Sequence, residues 1–348
     1  MINRTELRAS FPFLFTLPVR GLASAALLVG LLAMAGCVSG AGKGTSTGSG
    51  ASALIPEGVP RTDRVLADSA EDFQFAIVAD RTGGHRPGIF AKAIEQVNRL
   101  GPAFVLSVGD LIEGYTEDPA KIKAEWDEID SMLDVLEMPF FYTVGNHDVS
   151  NPPMLDAWRS RHGRDYWAFV YKDVLFLSLS TEDPPIELSA DIIARKARFE
   201  RLMNEDPEKV QRMIAARASQ GALPELPTPI AISDEQVAFV EETLSNHADV
   251  RWTILLMHKP AWKEKDPAFL RIESMLGDRD YTVIAGHEHT YQHMVRNDRD
   301  YLVLGTTGGV WLSQGPGAMD HVMWGTMTDE GPTLVPLRLE GILEVEGP

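Results

Sequence analysis

The chain has 348 residues, 44% hydrophobic and 24% charged, with 32 basic against 50 acidic side chains and a formal charge of −18. That balance describes a globular protein with an ample core, and it excludes broad electrostatic binding to polyanions, so no nucleic-acid partner is expected. A single cysteine, Cys37, excludes an intrachain disulfide, and packing has to hold the fold.

Residues 1–36 read as a leader. Arg4, Arg8 and Arg20 precede an apolar stretch from Gly21 to Ala35, which is short beside the about 20 residues of a membrane span. A positive flank, an apolar centre and small residues before Cys37 are the pattern of a secretory signal. With Met34-Ala35-Gly36 ahead of the only cysteine, the stretch resembles a bacterial lipoprotein signal with its lipobox. The resemblance implies cleavage before Cys37, lipidation of its thiol and a lipid-anchored, extracytoplasmic protein of the cell envelope. Val38 after the cysteine favours the outer membrane, facing the periplasm. An ordinary signal peptide with an incidental cysteine is the alternative. Residues 37–61 continue as a tether, Gly-, Ser- and Thr-rich from Val38 to Ala53, that lifts the folded part off a membrane surface.

Residues 62–348 read as one domain without internal repeats. Phe73–Ala79 predicts a buried strand, followed by a Gly-rich loop from Asp80 to Gly88, a helix over Ile89–Leu100 and a second strand over Phe104–Val108. Ile122, Trp126, Ile129, Leu133 and Leu136 recur at helical spacing and predict a helix over Pro119–Leu136. Strands follow over Phe140–Val144 and Val174–Leu179. Residues 183–232 interrupt the alternation with charged helical stretches, broken near Asp206-Pro207, and a Pro-rich run from Leu223 to Pro229. This insertion reads as a solvated helical excursion, with a lid or partner surface as the alternative. Ser233-Asp234-Glu235-Gln236 is a capping box for a helix through about Ser245. Strands are then expected over Trp252–Met257, Tyr281–Ala285, Tyr301–Leu304, His321–Met327 and Leu334–Leu339. Early strand–helix alternation and a late run of strands predict an α/β sandwich with a mixed sheet.

The apolar runs share one property: each ends in a metal-capable side chain. FAIVA leads to Asp80, FVLSVG to Asp110, FYTVG to Asn146, TILLM to His258, and YTVIAG to His287-Glu288-His289. As neighbouring strands they would place these groups along one rim, where open α/β sheets bind ligands. Mixed carboxylate, amide and imidazole donors suit Mn, Fe or Zn rather than Ca. Asp80, Asp110, Asn146, His258, His287 and His289 are too many for one catalytic ion and suit two. Two divalent ions about 3.5–4 Å apart can hold a hydroxide and clamp the oxygens of an in-line displacement at phosphorus. His147, beside a ligand, could then protonate the leaving alkoxide.

In their order these motifs, Asp80, Gly109-Asp110, Gly145-Asn146-His147-Asp148, His258 and Gly286-His287-Glu288-His289, resemble those of the calcineurin-like metallophosphoesterase superfamily. The resemblance spans residues 73 to 310. It implies a four-layer αββα sandwich of two mixed sheets, a dinuclear centre at the strand ends, and metal-dependent hydrolysis of a small phosphomonoester or phosphodiester. It further implies that Asp110 bridges the ions, with Asn146, His258 and His287 on one and Asp80 and His289 on the other. His147 would be the general acid, oriented by Asp148. A non-catalytic envelope lipoprotein that keeps the fold as a binding platform is the alternative.

One motif departs from the family. Its D-x-H is Asp80-Arg81-Thr82 here, so one metal loses an imidazole. Purple acid phosphatases, in the same superfamily, lack that histidine too and use a tyrosine of G-D-x-x-Y. The matching position is Glu113, which is expected to supply the missing donor, directly or through water, with His85 and the Thr82 hydroxyl as competitors. Arg81 is the leading candidate to bind substrate phosphate, ahead of Arg86 and Lys259. His162, His247, His293 and His321 lack motif context and read as structural.

Overall fold

Residues 55–66, 71–218 and 229–339 are described by the computed structural model. The leader, Cys37, most of the tether and nearly all of the Pro-rich run lie outside the described residues. The chain opens with strand–helix units: β1 (Phe73–Val78), α1 (Ile89–Leu100), β2 (Phe104–Ser107), α2 (Pro119–Leu133), β3 (Phe140–Phe141) and α3 (Pro152–His162). A hairpin of β4 (Trp167–Tyr171) and β5 (Val174–Ser178) precedes α4 (Ala190–Glu205) and α5 (Pro207–Ala218). Then come α6 (Asp234–Asn246), β6 (Trp252–Leu256), α7 (Ala261–Glu264), α8 (Pro267–Leu276) and β7 (Tyr281–Ala285). Strands β8 (Gln292–Arg296), β9 (Arg299–Val303), β10 (His321–Thr328) and β11 (Gly331–Arg338) finish the described chain.

These strands form two mixed sheets, ordered β11-β10-β1-β2-β3 and β4-β5-β6-β7-β9-β8. Strands β1, β2 and β3 run parallel, as do β5, β6, β7 and β9, and the remaining pairings are antiparallel. Side-chain alternation sets the layers. In β1, Phe73, Phe75 and Ile77 face the second sheet, while Ala76 and Val78 face α1 and α2. The space between the sheets is largely aromatic: Phe104 meets Phe176 at 5.1 Å, edge to face, and Phe141 stacks on Phe169 at 4.4 Å. On the outer faces, α1, α2 and α3 cover the first sheet, and α6, α7 and α8 cover the second. The result is the expected four-layer αββα sandwich.

Local sequence explains most boundaries. Helix α2 starts where Asp118 accepts from Ala120 N and Pro119 occupies the first turn, and it buries Ile122, Trp126, Ile129 and Leu133. Each such side chain contributes about 1.5–3 kcal/mol by leaving water. Ser233 caps α6 by accepting from Gln236 N, but Gln236 does not return the bond as a capping box requires. It is buried and bonds both the N–H and the carbonyl of Ser180. The strand expected over Phe140–Val144 shortens to two residues because its later groups find other partners. Tyr142 N donates to Pro60 O, Thr143 N donates to Ser107 Oγ, and Trp167 Nε1 donates to Tyr142 O. Strands β4 and β8 and helices α3, α7 and α8 were not anticipated. The half-exposed β8 lacks a clear apolar face.

Helices α4 and α5 meet at Asp206-Pro207 and are more than a solvated excursion. They bury Lys196, Met203, Val210 and Ile214, with Val310 completing their apolar cluster.

Candidate metal centre

Parallel strands from both sheets deliver their carboxyl ends to one place. Asp80 follows β1, Asp110 follows β2, Asn146 follows β3, His258 follows β6, and His287 and His289 follow β7. Asp80, Asp110, Asn146, His258 and His289 are buried, and His287 is half-buried. Glycines let these loops close on one another. A Cβ at Gly145 would strike the Asp110 carboxylate, and one at Gly286 would strike that of Asp80. Asp110, His287 and His289 hold left-handed backbone, with φ of 60°, 71° and 49°, an uncommon state that accumulates at functional sites.

Two donor clusters result, each with its ligand atoms within 4.8 Å: Asp110, His258 and His287, and Asp80, Asp110 and His289. Asp110 belongs to both. His258 Nε2 lies 3.1 Å from Asp110 Oδ2 and 4.0 Å from Asp80 Oδ1. His287 Nδ1 is 3.2 Å from His258 Nε2, and His289 Nε2 is 3.4 Å from Asp80 Oδ1. The outer nitrogens are held by backbone: His258 Nδ1 donates to Val108 O at 2.8 Å, and His289 Nδ1 donates to Val310 O. Both rings therefore turn Nε2 inward, as ligand imidazoles do. Asp80 Oδ2 and Asn146 Oδ1 are buried with no hydrogen-bond partner among the described residues. Buried acceptors are normally satisfied, so these two fit a divalent cation. Asn146 is oriented by Nδ2 donating to the Tyr115 hydroxyl at 2.9 Å.

The charges are tightly balanced. Burial would raise the Asp110 carboxyl, but His258 and His147 outweigh it and hold it far below the usual range. Burial opposes a charge on His258, yet Asp110 and Asp80 push it up to about 9. His287 is driven well below its ordinary value by burial and then by His258. His289 is raised, Asp80 overcoming burial.

His147 lies at the edge of this group, with Nε2 4.0 Å from Asp110 Oδ2. Its backbone N–H donates to Asp110 Oδ1 at 2.9 Å, and its Nδ1 donates to Glu113 O at 2.8 Å.

Three expected roles are corrected. Asp148 does not orient His147. Its carboxylate accepts from the N–H groups of Asp110, Leu111, Ile112 and Gly145 at 2.7–3.2 Å, locking the Gly-Asp loop to the Gly-Asn loop. Burial and then Asp110 push its carboxyl up to about 7, against the pull of those donors. Glu113 stands outside both donor clusters. One of its oxygens accepts from Gly84 N, His85 N and His85 Nδ1, and the other from Lys196. Burial would raise Glu113, but Lys196 and His85 hold it well below the usual range. Of the competitors, Thr82 Oγ1 is buried without a partner among the described residues, whereas His85 is turned to Glu113.

Arg81 does not reach toward substrate. It is 3% exposed and donates to Leu111 O at 3.0 Å and to Glu128 at 2.8 Å. Arg86 bonds Gly309 O and Asp320 and lies over the Trp311 ring. Lys259 is buried against Glu182 at 2.7 Å and Pro229 O at 3.1 Å. Sequence reading missed Lys196, Tyr115 and Glu182. Tyr115 lies two places past Glu113 in the same loop and could have been weighed there, but nothing in the sequence marks Lys196 or Glu182.

Comparison with known proteins agrees with this geometry. No curated protein sequence matches the chain. Among solved structures, a dimetal phosphatase from Danio rerio superposes with a TM-score of 0.52 at 13% identity, covering 76% of this chain and 96% of the other. The structure of PhoD superposes with a TM-score of 0.52 at 11% identity, over 81% of this chain and 75% of that one. These likenesses concern the fold. The family model of the calcineurin-like phosphoesterases matches residues 73–291, from the first strand to just past the last paired histidine, and the chain belongs to that family.

Proposed function

We propose that this metallophosphoesterase is a two-metal hydrolase of small phosphate esters. Asp80, Asp110 and His289 would hold one ion, and Asp110, His258 and His287, with Asn146 beside them, would hold the other. The observation that carries this reading is the pair of buried acceptors, Asp80 Oδ2 and Asn146 Oδ1, without a partner among the described residues, beside two imidazoles whose nitrogens face each other at 3.2 Å. A mere binding platform would have no reason to keep such groups unsatisfied. When bound, divalent ions of the Mn, Fe or Zn type supply Lewis-acid polarisation of phosphoryl oxygens and an acidified water.

The chain's own residues do the rest. Backbone carbonyls fix the tautomers of His258 and His289, so their Nε2 lone pairs face the shared carboxylates, where a metal would be held. Nδ1 of His147 is committed to Glu113 O, which leaves Nε2 to carry the proton handed to the leaving alkoxide. Burial, the largest influence, lowers the affinity of that imidazole for a proton, and a docking phosphate dianion raises it again. A formal charge of −18 over the whole chain favours compact substrates over polyanions.

Purified protein assayed with aryl phosphate mono- and diesters in Mn²⁺, with metal counted on the same sample, tests the reading. Two ions per chain and turnover are expected. Protein that retains no metal and turns over neither ester would return the chain to the platform alternative. The leader pattern supports an extracytoplasmic, lipid-anchored setting. Metabolic labelling with a fatty-acid probe should mark the wild type and not C37A, and equal labelling would remove the anchor.

A further inference from the structure

We infer that Lys196, on α4, is a positioning residue that sets the imidazole of His147, an inference that rests on the general-acid role proposed above. Lys196 is 4% exposed on a helix whose other charged residues are mostly exposed or half-buried. Its ammonium is bonded to Glu113 Oε2, with Glu200 one turn further along at 3.6 Å. Burying an ammonium is costly unless it is paired and hydrogen-bonded, so this lysine is explained by its partner rather than by packing.

That partner joins three parts of the site. Through its other carboxylate oxygen, Glu113 accepts from Gly84 N at 3.1 Å and His85 N at 2.8 Å, which fixes the loop that follows Asp80. Through its main-chain oxygen it accepts the Nδ1 proton of His147 at 2.8 Å. The next residue, Gly114, has φ of 57° and no room for a Cβ against the His147 carbonyl. The backbone at 113–114 therefore cannot shift without disturbing His147. Without Lys196, the Glu113 carboxylate would be a buried charge lacking its cation, and it would have to take a proton or swing toward water. Either change pulls on the carbonyl that selects the His147 tautomer.

The packing around Lys196 points the same way. Phe199, one turn along α4, covers Gly84, and Met203, Val210 and Ile214 pack on Val310, whose carbonyl orients His289. Gln211 Nε2 donates to Trp311 O at 2.8 Å. The helical insertion thus braces both segments whose carbonyls aim the imidazoles on either side of the site.

The test uses full-length K196M and K196R with ¹⁵N-labelled histidine and Zn²⁺ bound, the His147 signals being assigned by their loss in H147Q. Wild type should show His147 as the Nδ1–H tautomer. K196M should move its signals toward a tautomer mixture, and K196R should restore them, at unchanged metal content. In parallel, kcat is compared on phosphates with phenolate and 4-nitrophenolate leaving groups. K196M should lose about tenfold on the first and less than threefold on the second at similar KM, since a poorer leaving group needs the acid more. His147 signals unmoved in K196M, or equal losses on both esters, would overturn the inference. If wild type cleaves neither ester, the hydrolase reading fails on its own, and the tautomer measurement still decides the role of Lys196. Should K196M not fold, K196Q, which removes the positive charge beside the Glu113 carboxylate, is read by the same two measurements. A shift of the His147 signals with a larger loss on the phenyl ester supports the inference, and signals unmoved or equal losses overturn it.

Discussion

Nε2 of His258 stands 3.1 Å from Oδ2 of Asp110, although the two side chains come from different sheets. Asp110 follows β2 in the first sheet and His258 follows β6 in the second, so the site straddles the seam of the sandwich. Catalysis here depends on the two sheets keeping their relative position, which the aromatic layer between them secures.

The shared place of Asp110 predicts an asymmetry in metal loading. D110N should lose both ions, whereas H258A should lose mainly one and cut kcat at least about a hundredfold. Elemental analysis after gel filtration measures this. D110N retaining a full complement would show that Asp110 is not a shared ligand.

His147 is expected to act on the chemistry without binding metal. H147A should keep both ions and lose about 10²–10⁴-fold in kcat on poor leaving groups, with a smaller loss on 4-nitrophenyl esters. Steady-state kinetics on a leaving-group series checks this, and loss of metal along with activity would reassign His147 as a ligand.

Asp148 serves four backbone donors, so its removal is a stability defect first. D148A leaves buried N–H groups unsatisfied in two loops and should cost about 3–5 kcal/mol in urea unfolding. A D148A protein as stable as wild type but inactive would return Asp148 to a direct role beside His147.

Arg81 makes the opposite prediction from the one its position beside Asp80 suggested. R81M should lower the unfolding midpoint, because Leu111 O and Glu128 lose their donor, while KM for phosphate esters stays within about twofold. A large rise in KM at unchanged stability would place the guanidinium on substrate.

Acid sensitivity should come partly from His162, which is packed among Trp126, Tyr142 and Trp158. Burial, and then Arg161, pushes its folded-state value down to about 3, from 6.5. The folded protein holds this imidazole neutral and the unfolded chain does not, so its contribution is full above pH 6.5 and is lost as pH falls toward 3. The slope is about 1.4 kcal/mol per pH unit between those values. Urea midpoints at several pH values should show it, and H162F should flatten the dependence. An unchanged slope in H162F would assign the acid sensitivity elsewhere.

The amino-acid sequence by itself determined the order of the donors and, β3 excepted, the strand ends to within a residue or two, because both are local. A short apolar run and a metal-capable side chain lie within a few residues of one another, and before Asp110, Asn146 and His287 a glycine stands where neighbouring loops touch. The α/β class followed too, from the early alternation of strands and helices, whereas the split of β1 into Phe73, Phe75 and Ile77 on one face and Ala76 and Val78 on the other emerged only in the fold, because both faces are apolar. Only the tertiary structure decided which charged side chains face the centre. Glu113 and Arg81 sit within three residues of Asp110 and Asp80, yet each is claimed by a partner from a distant helix: Lys196 on α4 and Glu128 on α2. A buried charge goes where its counter-charge and hydrogen bonds are, and those arrive from elements whose approach no local pattern records.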